Sequence, residues 1–427
     1  MSDAPAHLTT ADGQPLQTAL ARSQARLRRR AFLLVAPLFL FVLITFVVPI
    51  GQMLFQSVYN PGFIEIENRD TGEVTPLMTN VTAWFEANPQ GTAPDEAAYA
   101  ALAADLKHLK EMRAGGVVGE RINYDVPGTR SLFTSSVRNA DKLEPPYLES
   151  VPAADARWAD PLVWRAMRSA SSGFTVQFYL NALDLTRDGN GEIVRIDEKE
   201  RVYILLFTRT LALSAAITAI CLVLAFPIAH LLATLPLAKS NLLMVLVLLP
   251  FWTSLLVRTT SWMVLLQSQG VVNDIMVALG IIGDDGRIQM MYNRIGTIVA
   301  MTHILLPFMV LPLYSVMRPI PPTYVRAARS LGATSWTAFR RVYLPQTLPG
   351  IAAGALLVFI LAVGYYITPA LVGGADGQLI SNLIAFHMQK SLNWSLAAAL
   401  ASLLLFGVLV LYWLYDRLIG IDNMKLG

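Results

Sequence analysis

Residues 321–345 read PPTYVRAARSLGATSWTAFRRVYLP. The two opening prolines can start a helix, because the N–H that proline lacks would be unpaired in the first turn. Gly332 stands where a helix commonly ends in a left-handed residue, a backbone conformation that glycine adopts without steric cost. The first half of the stretch therefore predicts a short helix that ends at a glycine turn.

The second half of the stretch predicts another short helix. Thr334 or Ser335 can cap its N-terminus. Leu344-Pro345 is expected to end it, because proline cannot continue the hydrogen-bond ladder. The whole stretch then reads as helix, glycine turn, helix.

One face of the first helix carries Tyr324, Ala327, Ala328 and Leu331. Small alanines allow another backbone to approach closely, so this face is typical of a docking element. The same residues also fit an ordinary basic loop that only fixes topology, and both interpretations stay open at this point.

Long apolar segments surround this stretch. Only 15% of the 427 residues are charged, against about 25% in an ordinary soluble protein, and a transmembrane helix needs about 20 apolar residues. The sequence therefore predicts an all-α membrane protein with six transmembrane helices. The six candidate segments are residues 31–50, 210–237, 242–267, 295–317, 350–371 and 396–415.

Basic residues near the ends of the spans give one consistent orientation. Lys and Arg concentrate in cytoplasmic loops, and five arginines precede the first span while five more follow the fourth. Residues 1–30 are thus expected to be a cytoplasmic tail, disordered through residue 25. The loop 318–349 and the tail 421–427 are expected on the same side.

The segment between the first two spans differs from the rest in composition. Residues 53–200 hold 22 of the 30 Asp+Glu and 14 of the 33 Lys+Arg, a net charge of −8, and the remainder carries +11. Alternation places this segment outside the cytoplasm, as an insertion between a first transmembrane helix at 31–52 and a five-helix core at 201–420. Helices are expected within it at 99–112 and 155–170.

A short polar run near the end of the insertion has two interpretations. Asp188, Asn190 and Asp197 would take the third, fifth and twelfth positions of a calcium loop. That loop needs an aspartate at the first position and a glutamate at the twelfth, and Thr186 stands at the first. An Asn-Gly hairpin turn accounts for the same residues.

Several function classes are excluded or weakened. The single cysteine, Cys221, excludes a disulfide framework, and a total charge of +3 does not suggest nucleic acid. No phosphate loop ending in Gly-Lys-Ser/Thr occurs, so neither a cofactor nor ATP hydrolysis is expected in this chain. The absence of an acidic residue in the middle of any span weakens an ion-coupled secondary transporter, which stays an alternative.

Polar and aromatic residues in the spans are candidate functional groups. Arg258 is the only charge well inside a span, where burial is costly, and it can line a pathway, pair across an interface or snorkel to the surface. His230 and His303 are expected to bond neighbouring helices rather than relay protons. Aromatic rings that can face a cation, or simply pack and anchor helices, belong to Trp252, Trp262, Tyr365 and Tyr366.

The loop 318–349 resembles the EAA loop of the permease subunits of binding-protein-dependent ABC importers. Ala327-Ala328, Gly332 four residues later and Leu344-Pro345 match that pattern, between the third-last and second-last spans. Arg326 stands where the family has glutamate. Residues 249–259 and 304–319 are similar to permeases of the spermidine/putrescine type.

This resemblance implies a MetI-like permease core in a bacterial inner membrane, with both termini cytoplasmic. It implies a pathway for a small solute, either a polyamine such as spermidine or putrescine or another solute of that size. It also implies a second permease subunit, a periplasmic solute-binding protein, and a dimer of ATP-binding subunits that holds ATP and Mg. The implied contacts with those subunits are Tyr324, Arg326, Ala327, Ala328, Leu331, Gly332, Phe339, Leu344 and Pro345.

Overall fold

The structure is a computed structural model that describes residues 16–67, 72–89, 91–187 and 192–419. The chain divides into two compact units, Met1–Gln56 and Ser57–Gly427.

The first unit contains a helix interrupted by one π turn. Helix α1 spans Leu16–Val42, the π turn spans Leu43–Val47 and α2 spans Val48–Gln56. Residues 16–25 are helical, so the expectation of disorder is wrong for this described part of the tail. Ala, Leu, Gln and Arg dominate residues 16–30, and these good helix formers extend the helix of the apolar span.

The insertion contains short helices and two β-hairpins within its described residues. The helices are α3 (Thr79–Ala87), α4 (Glu96–Glu111), α5 (Gly115–Asn123), α6 (Thr129–Arg138), α7 (Tyr147–Ala154), α8 (Pro161–Ala170) and α9 (Gln177–Ala182). The antiparallel strands are β1 (Glu65–Glu67) with β2 (Val74–Pro76), and β3 (Leu185–Arg187) with β4 (Ile193–Arg195).

The insertion has an apolar core of its own. The helix expected at 99–112 is confirmed as α4, and its residues Leu102, Leu106 and Leu109 are fully buried. Trp158 is also buried there, with its ring 5.1 Å from that of Phe133. A packed aromatic and leucine core lets this acidic segment fold without membrane contact.

The helix expected at 155–170 is broken in two. Residues Ala156–Ala159 form a 3-10 turn, and α8 restarts at Pro161 because the Asp160 side chain accepts the N–H of Leu162 at 2.8 Å. Asp followed by Pro is a strong helix start. Leu162 falls outside the apolar face and remains exposed.

The core that follows the insertion is a further series of helices. These are α10 (Tyr203–Thr234), α11 (Leu237–Leu248), α12 (Leu255–Leu266), α13 (Val271–Ala278), α14 (Arg294–Met317), α15 (Pro322–Ser330), α16 (Ser335–Ala338), α17 (Leu344–Gly364), α18 (Ile367–Val372), α19 (Gly374–Gly377), α20 (Ile380–Gln389) and α21 (Trp394–Ile419).

Five helical stretches in the described residues are long and apolar enough to cross a membrane, and a bent pair gives a sixth. The five are Leu27–Gln56, Tyr203–Thr234, Arg294–Met317, Ser335–Gly364 and Trp394–Arg417. The all-α membrane fold expected from the sequence is therefore confirmed.

The third expected span, 242–267, is not one straight helix. Its two halves meet at 96°, because Pro250 ends the first in a 3-10 turn and Ser254 caps the second by accepting the N–H of Val257 at 3.2 Å. The bend places Arg258 in the first turn of α12 rather than in mid-span.

The fifth span begins before the expected residue 350, because the short helix that was expected to end at Leu344-Pro345 continues into it. Helix α16 passes through a π turn, Phe339–Tyr343, directly into α17. Leu344 donates its N–H to the carbonyl of Phe339, five residues earlier. The hydrogen-bond pattern of the helix is therefore already of the wider π type just before Pro345, and the N–H that proline lacks does not end the helix. The same span breaks again at Tyr365 and Tyr366 instead of continuing to residue 371.

Small residues bring α17 close to α14. A Cβ atom added at Gly354 would lie 2.7 Å from the Met309 sulfur, and one at Gly350 would lie 3.1 Å from the carbonyl oxygen of Pro312. Glycine at these two positions lets the helix backbones approach, as is common between membrane helices.

Asp184 joins the insertion to the start of α10. This buried residue has a positive φ of 54°, and its carboxylate accepts the N–H groups of Val202, Tyr203 and Ile204 at 3.2, 3.1 and 2.8 Å. It thereby pairs three of the amides that the first helical turn leaves free.

The insertion also packs against the last helix of the core. Tyr179 and Ser402 are hydrogen-bonded through their hydroxyls at 2.8 Å, and Asn60 donates to the Ser395 hydroxyl at 3.0 Å. Phe178 belongs to the same apolar cluster as residues of α20 and α21. The insertion is thus fixed to α21 by both polar and apolar contacts.

Candidate functional site

The arginine loop, defined here as residues 318–349, adopts the predicted helix, glycine turn, helix arrangement at its start. Gly332 has φ of +90° and donates its N–H to the Arg329 carbonyl at 3.0 Å. Thr334 rather than Ser335 caps the next helix, since its hydroxyl accepts the N–H of Thr337 at 3.2 Å. A residue other than glycine would be strained at this φ.

Several large side chains of the arginine loop are exposed. Leu331 is 90% exposed, Trp336 68% and Tyr324 51%. Ala327 is exposed with them, whereas Ala328 is half-buried together with Val325. The helical spacing of Tyr324, Ala327, Ala328 and Leu331 agrees with the single face expected from the sequence, and Ala328 is the least exposed of the four.

An aromatic ladder connects the arginine loop to α10. The rings of Trp336 and Phe339 stack at 5.6 Å, and those of Phe339 and Tyr343 stack at 6.0 Å. Phe226 of α10 meets Phe339 edge-on at 5.9 Å. The Tyr343 hydroxyl lies 3.0 Å from Nδ1 of His230, also on α10. The ring contacts and the hydrogen bond to His230 form one continuous chain of neighbouring side chains from Trp336 to α10.

Arg318 is the one loop arginine with a clear structural role among the described contacts. Its guanidinium donates to the carbonyls of Ala233 and Leu235 at 2.7 and 2.9 Å, at the C-terminal end of α10. A cation there pairs carbonyls that the helix leaves free and favours the negative end of its dipole.

Residues of the bent span form a second polar cluster in the core. Trp262 donates its indole N–H to Nδ1 of His303 at 3.0 Å, and the hydroxyls of Thr259 and Thr368 lie 3.2 Å apart. Nε of Arg258 is buried without a hydrogen-bond partner in the described part of the chain.

The other aromatic candidates lie at breaks in the helices. Tyr365 and Tyr366 occupy the break between α17 and α18, where their carbonyls accept from the Ser381 hydroxyl at 2.6 Å and the Asn382 amide at 2.7 Å. Trp252 lies before the bend of the third span and is largely exposed. Trp262 and Tyr365 are half-buried, whereas Trp252 and Tyr366 are exposed.

Sequence reasoning missed the contribution of Tyr343, Thr259 and Thr368. Two threonines in otherwise apolar segments were a usable signal, because a buried hydroxyl needs a partner. The partner of Tyr343 depends on how α10 and α17 pack, and no local pattern reports that.

The calcium hypothesis remains a hypothesis, because only one of its three candidate ligands lies within the described residues. Asp188 and Asn190 lie outside the described residues, and Asp197 is exposed. The flanking strands β3 and β4 pair as a hairpin with Thr186 opposite Val194. A two-residue Asn190-Gly191 turn would instead place Arg187 opposite Val194, so the strands form the expected hairpin in a register that a two-residue turn does not give. No group of three or more His, Cys, Asp or Glu side chains in the described ranges could hold a metal ion.

Comparison with known proteins identifies the family. A family model described as the inner membrane component of binding-protein-dependent transport systems matches residues 207–419. The spermidine/putrescine transport system permease protein PotB of Salmonella typhimurium is 37% identical over 220 residues, which are 51% of this chain and 75% of that protein. This chain belongs to that family of inner-membrane permease components.

Further matches extend the comparison. PotB of Haemophilus influenzae is 34% identical over 248 residues, covering 56% of this chain and 86% of that protein. The crystal structure of a bacterial alginate ABC transporter, in complex with an alginate pentasaccharide-bound periplasmic protein, aligns with a TM-score of 0.43. It shows 18% identity over 53% of this chain and 80% of that chain.

Family membership decides between the alternatives that the sequence left open. The chain is a membrane-spanning permease subunit of an ABC importer, not an ion-coupled secondary transporter, and it is not itself an enzyme. The family model begins at residue 207, so the insertion lies outside the matched region.

Proposed function

We propose that this permease subunit forms part of the translocation pathway for a polyamine such as spermidine or putrescine. The observation that supports the substrate most directly is the 37% identity to PotB, which is named for spermidine and putrescine transport. Charged amines need a protein pathway, because an unpaired charge in the bilayer is costly.

The proposal includes the partners. A soluble solute-binding protein delivers the polyamine, a second permease subunit completes the pathway, and a dimer of ATP-binding subunits holds ATP and Mg and hydrolyses ATP. Both termini and the arginine loop face the cytoplasm, and the acidic insertion faces the periplasm. The arginine content of the loop supports this orientation.

The arginine loop is the proposed contact with the ATP-binding subunits. Exposed Leu331, Trp336 and Tyr324 supply apolar area for that contact. When the ATP-binding dimer closes, it displaces the loop, and the ladder from Trp336 to His230 passes the displacement to α10. The partner thereby favours one of two arrangements of the spans through its differential contacts with them.

The proposed translocation pathway runs next to the break between α17 and α18 and the bend in the third span. Rings of Trp252, Trp262, Tyr365 and Tyr366 can accept an ammonium group on their faces. Arg258 would repel a polyamine, so we assign it to the subunit interface rather than to substrate contact.

The test is transport by the assembled complex. The tagged chain is purified gently from its native membrane, its partners are identified by mass spectrometry, and the complex is placed in proteoliposomes with ATP on the side of the arginine loop. Labelled spermidine or putrescine should be taken up only when ATP and the solute-binding protein are both present.

Two results would count against the proposal. Uptake of sulfate or another solute in place of polyamines would overturn the substrate and leave the importer intact. Purification of the chain without any ATP-binding subunit, in several detergents, would overturn the proposed partners.

A further inference from the structure

The exposed charge of the arginine loop has a single sign. Residues 318–349 contain five arginines and no Asp or Glu. Arg318 is used within the fold, as described above. The four others, Arg326, Arg329, Arg340 and Arg341, are exposed, and none forms an ion pair within the described ranges of the chain.

Two of these arginines occupy neighbouring positions on α15. Arg326 and Arg329 are three residues apart, so their side chains lie on adjacent turns of one helix face. Like charges at this spacing repel each other, so the pair does not stabilise α15 itself. An opposite charge supplied by another molecule would remove that repulsion.

The surface beside the two arginines is shaped for close contact. Thr323, Ala327 and Ser330 lie at helical spacing on the same exposed side. Small side chains let a partner backbone approach α15 closely, which brings the partner's side chains within reach of the guanidinium groups.

We propose that Arg326 and Arg329 pair with carboxylates that line the docking cleft of the ATP-binding subunit, and that this pairing selects which ATP-binding subunit the permease accepts. The inference rests on the proposed function, because it takes that subunit as the occupant. An arginine fork can bind a carboxylate through two parallel hydrogen bonds. A cleft shaped for a glutamate at position 326 would instead present positive charge and repel this loop.

The composition of the face favours a protein over a lipid surface. A helix that lies on a membrane carries large apolar residues beside its basic ones. On α15 the arginines lie beside Thr323, Ala327 and Ser330, and the exposed ring of Tyr324 belongs to the opposite side of the helix from Arg326. The large exposed residues Leu331 and Trp336 lie after the end of that helix.

The experiment measures binding of the cognate ATP-binding subunit to the detergent-solubilised full-length permease over a range of salt concentrations. The variants are Arg326→Glu, Arg329→Glu and the double substitution. Lys239→Glu is the matched control, since Lys239 is exposed and makes the same charge change on α11, outside the arginine loop. Circular dichroism and gel filtration check that each variant remains folded.

Each arginine substitution is expected to weaken binding by at least about tenfold at low salt, and the control should change it little. Raising the salt should weaken binding of the unchanged permease and narrow its difference from the variants. Replacing the facing carboxylates of the partner with arginine should restore binding to the double variant. The double variant should also bind better to an ATP-binding subunit whose own permease has glutamate at this position.

Three outcomes would overturn the inference. If the cognate subunit binds the charge-reversed variants as tightly as the unchanged permease at every salt concentration, the pairing does not exist, although the proposed function stands. If the variants lose function only in vesicles that contain anionic lipid, the arginines face the membrane instead. If no ATP-binding subunit binds even the unchanged permease, both this inference and the proposed partners fail.

Discussion

Many large apolar side chains are buried in the insertion, whereas several are exposed in the arginine loop. In the insertion, Trp158 is buried and makes a ring contact with Phe133, and its indole N–H donates to the Ser136 hydroxyl at 2.9 Å. In the loop, Trp336 is mostly exposed and Leu331 almost completely so. The insertion completes its core with its own residues, whereas the loop leaves its apolar area uncovered.

This contrast separates two kinds of dependence. A substitution in the insertion should change the stability of the chain itself, because the contacts removed are internal. A substitution in the loop should change little until a partner is present, because the area lost belongs to an interface. The predictions below test that separation, beginning with the largest expected effect.

Trp158→Ala should strongly destabilise the insertion. Removing a fully buried tryptophan costs about 3–5 kcal/mol, and the change also leaves the Ser136 hydroxyl without its donor. Hydrogen exchange of the peptides from α4, α6 and α8 in the purified full-length protein measures the loss. Trp336→Ala is the matched control and should change the free energy of exchange by no more than about 0.5 kcal/mol. Equal effects of the two substitutions would show that the insertion and the loop do not differ in this respect.

Gly332→Pro should abolish coupled uptake while the protein still reaches the membrane. Proline holds φ near −65°, far from the +90° of Gly332, and it also lacks the N–H that bonds the Arg329 carbonyl. A local penalty of about 3 kcal/mol lowers the population of the native turn by about a hundredfold.

The readout for Gly332→Pro is labelled uptake against ATP hydrolysis in proteoliposomes. Gly332→Asn serves as the conservative variant, because asparagine tolerates the left-handed region, and it should retain much of the uptake. Normal uptake by the proline variant would show that the turn has no part in coupling.

Tyr343→Phe should lower the ratio of solute transported to ATP hydrolysed. The variant keeps the stacked ring and loses only the hydrogen bond to His230, a contact worth about 0.5–1.5 kcal/mol. Tyr324→Phe is the matched control, since the Tyr324 ring lies on the exposed face and its hydroxyl makes no described hydrogen bond. If both variants couple equally well, the bond to His230 does not transmit the displacement.

The smallest effect should be a pH dependence within the insertion. Burial raises the pKa of the Asp105 carboxyl, although the N–H groups of Asn80 and Val81 favour its charged form. A carboxyl whose pKa is higher in the folded state stabilises the fold below its unfolded pKa, and that contribution is lost as the pH rises through the folded value. Asp105 should therefore favour folding more at pH 4 than at pH 7.

Asp155 provides the opposite case. The Arg157 guanidinium holds the pKa of this carboxyl below its usual value, so its contribution is lost as the pH falls. Hydrogen exchange at both pH values, corrected for the intrinsic exchange rate, should show opposite changes for Asp105→Asn and Asp155→Asn. Identical pH slopes in the two variants would contradict the assignment.

Much of the fold could be predicted from the sequence, because the deciding signals are local. Apolar length gives the spans, a three-to-four-residue period gives α4, and Gly332 with Thr334 gives the turn and the cap of the arginine loop. The breaks were harder to locate. Pro345 was expected to end a helix. The π turn before it shows that a helix can continue through a proline when the preceding hydrogen bonds span five residues instead of four.

The candidate site could be predicted only in part. Exposed residues such as Tyr324 and Leu331 follow from helical spacing, but the greater burial of Ala328 than of Ala327 depends on how α15 packs on the core. The His230 to Tyr343 contact joins residues 113 positions apart. Such a pair is set by tertiary packing, which periodicity does not encode.

The carboxylate of Asp184 gives the insertion a second property. Its three hydrogen bonds tie the first turn of α10 to the β3–β4 hairpin, because Asp184 directly precedes β3. A rotation of that turn about the helix axis would have to break these bonds or move the hairpin. A spectroscopic label on β4 would then report rotation of the first turn of α10 from a position in the insertion, outside the transmembrane helices.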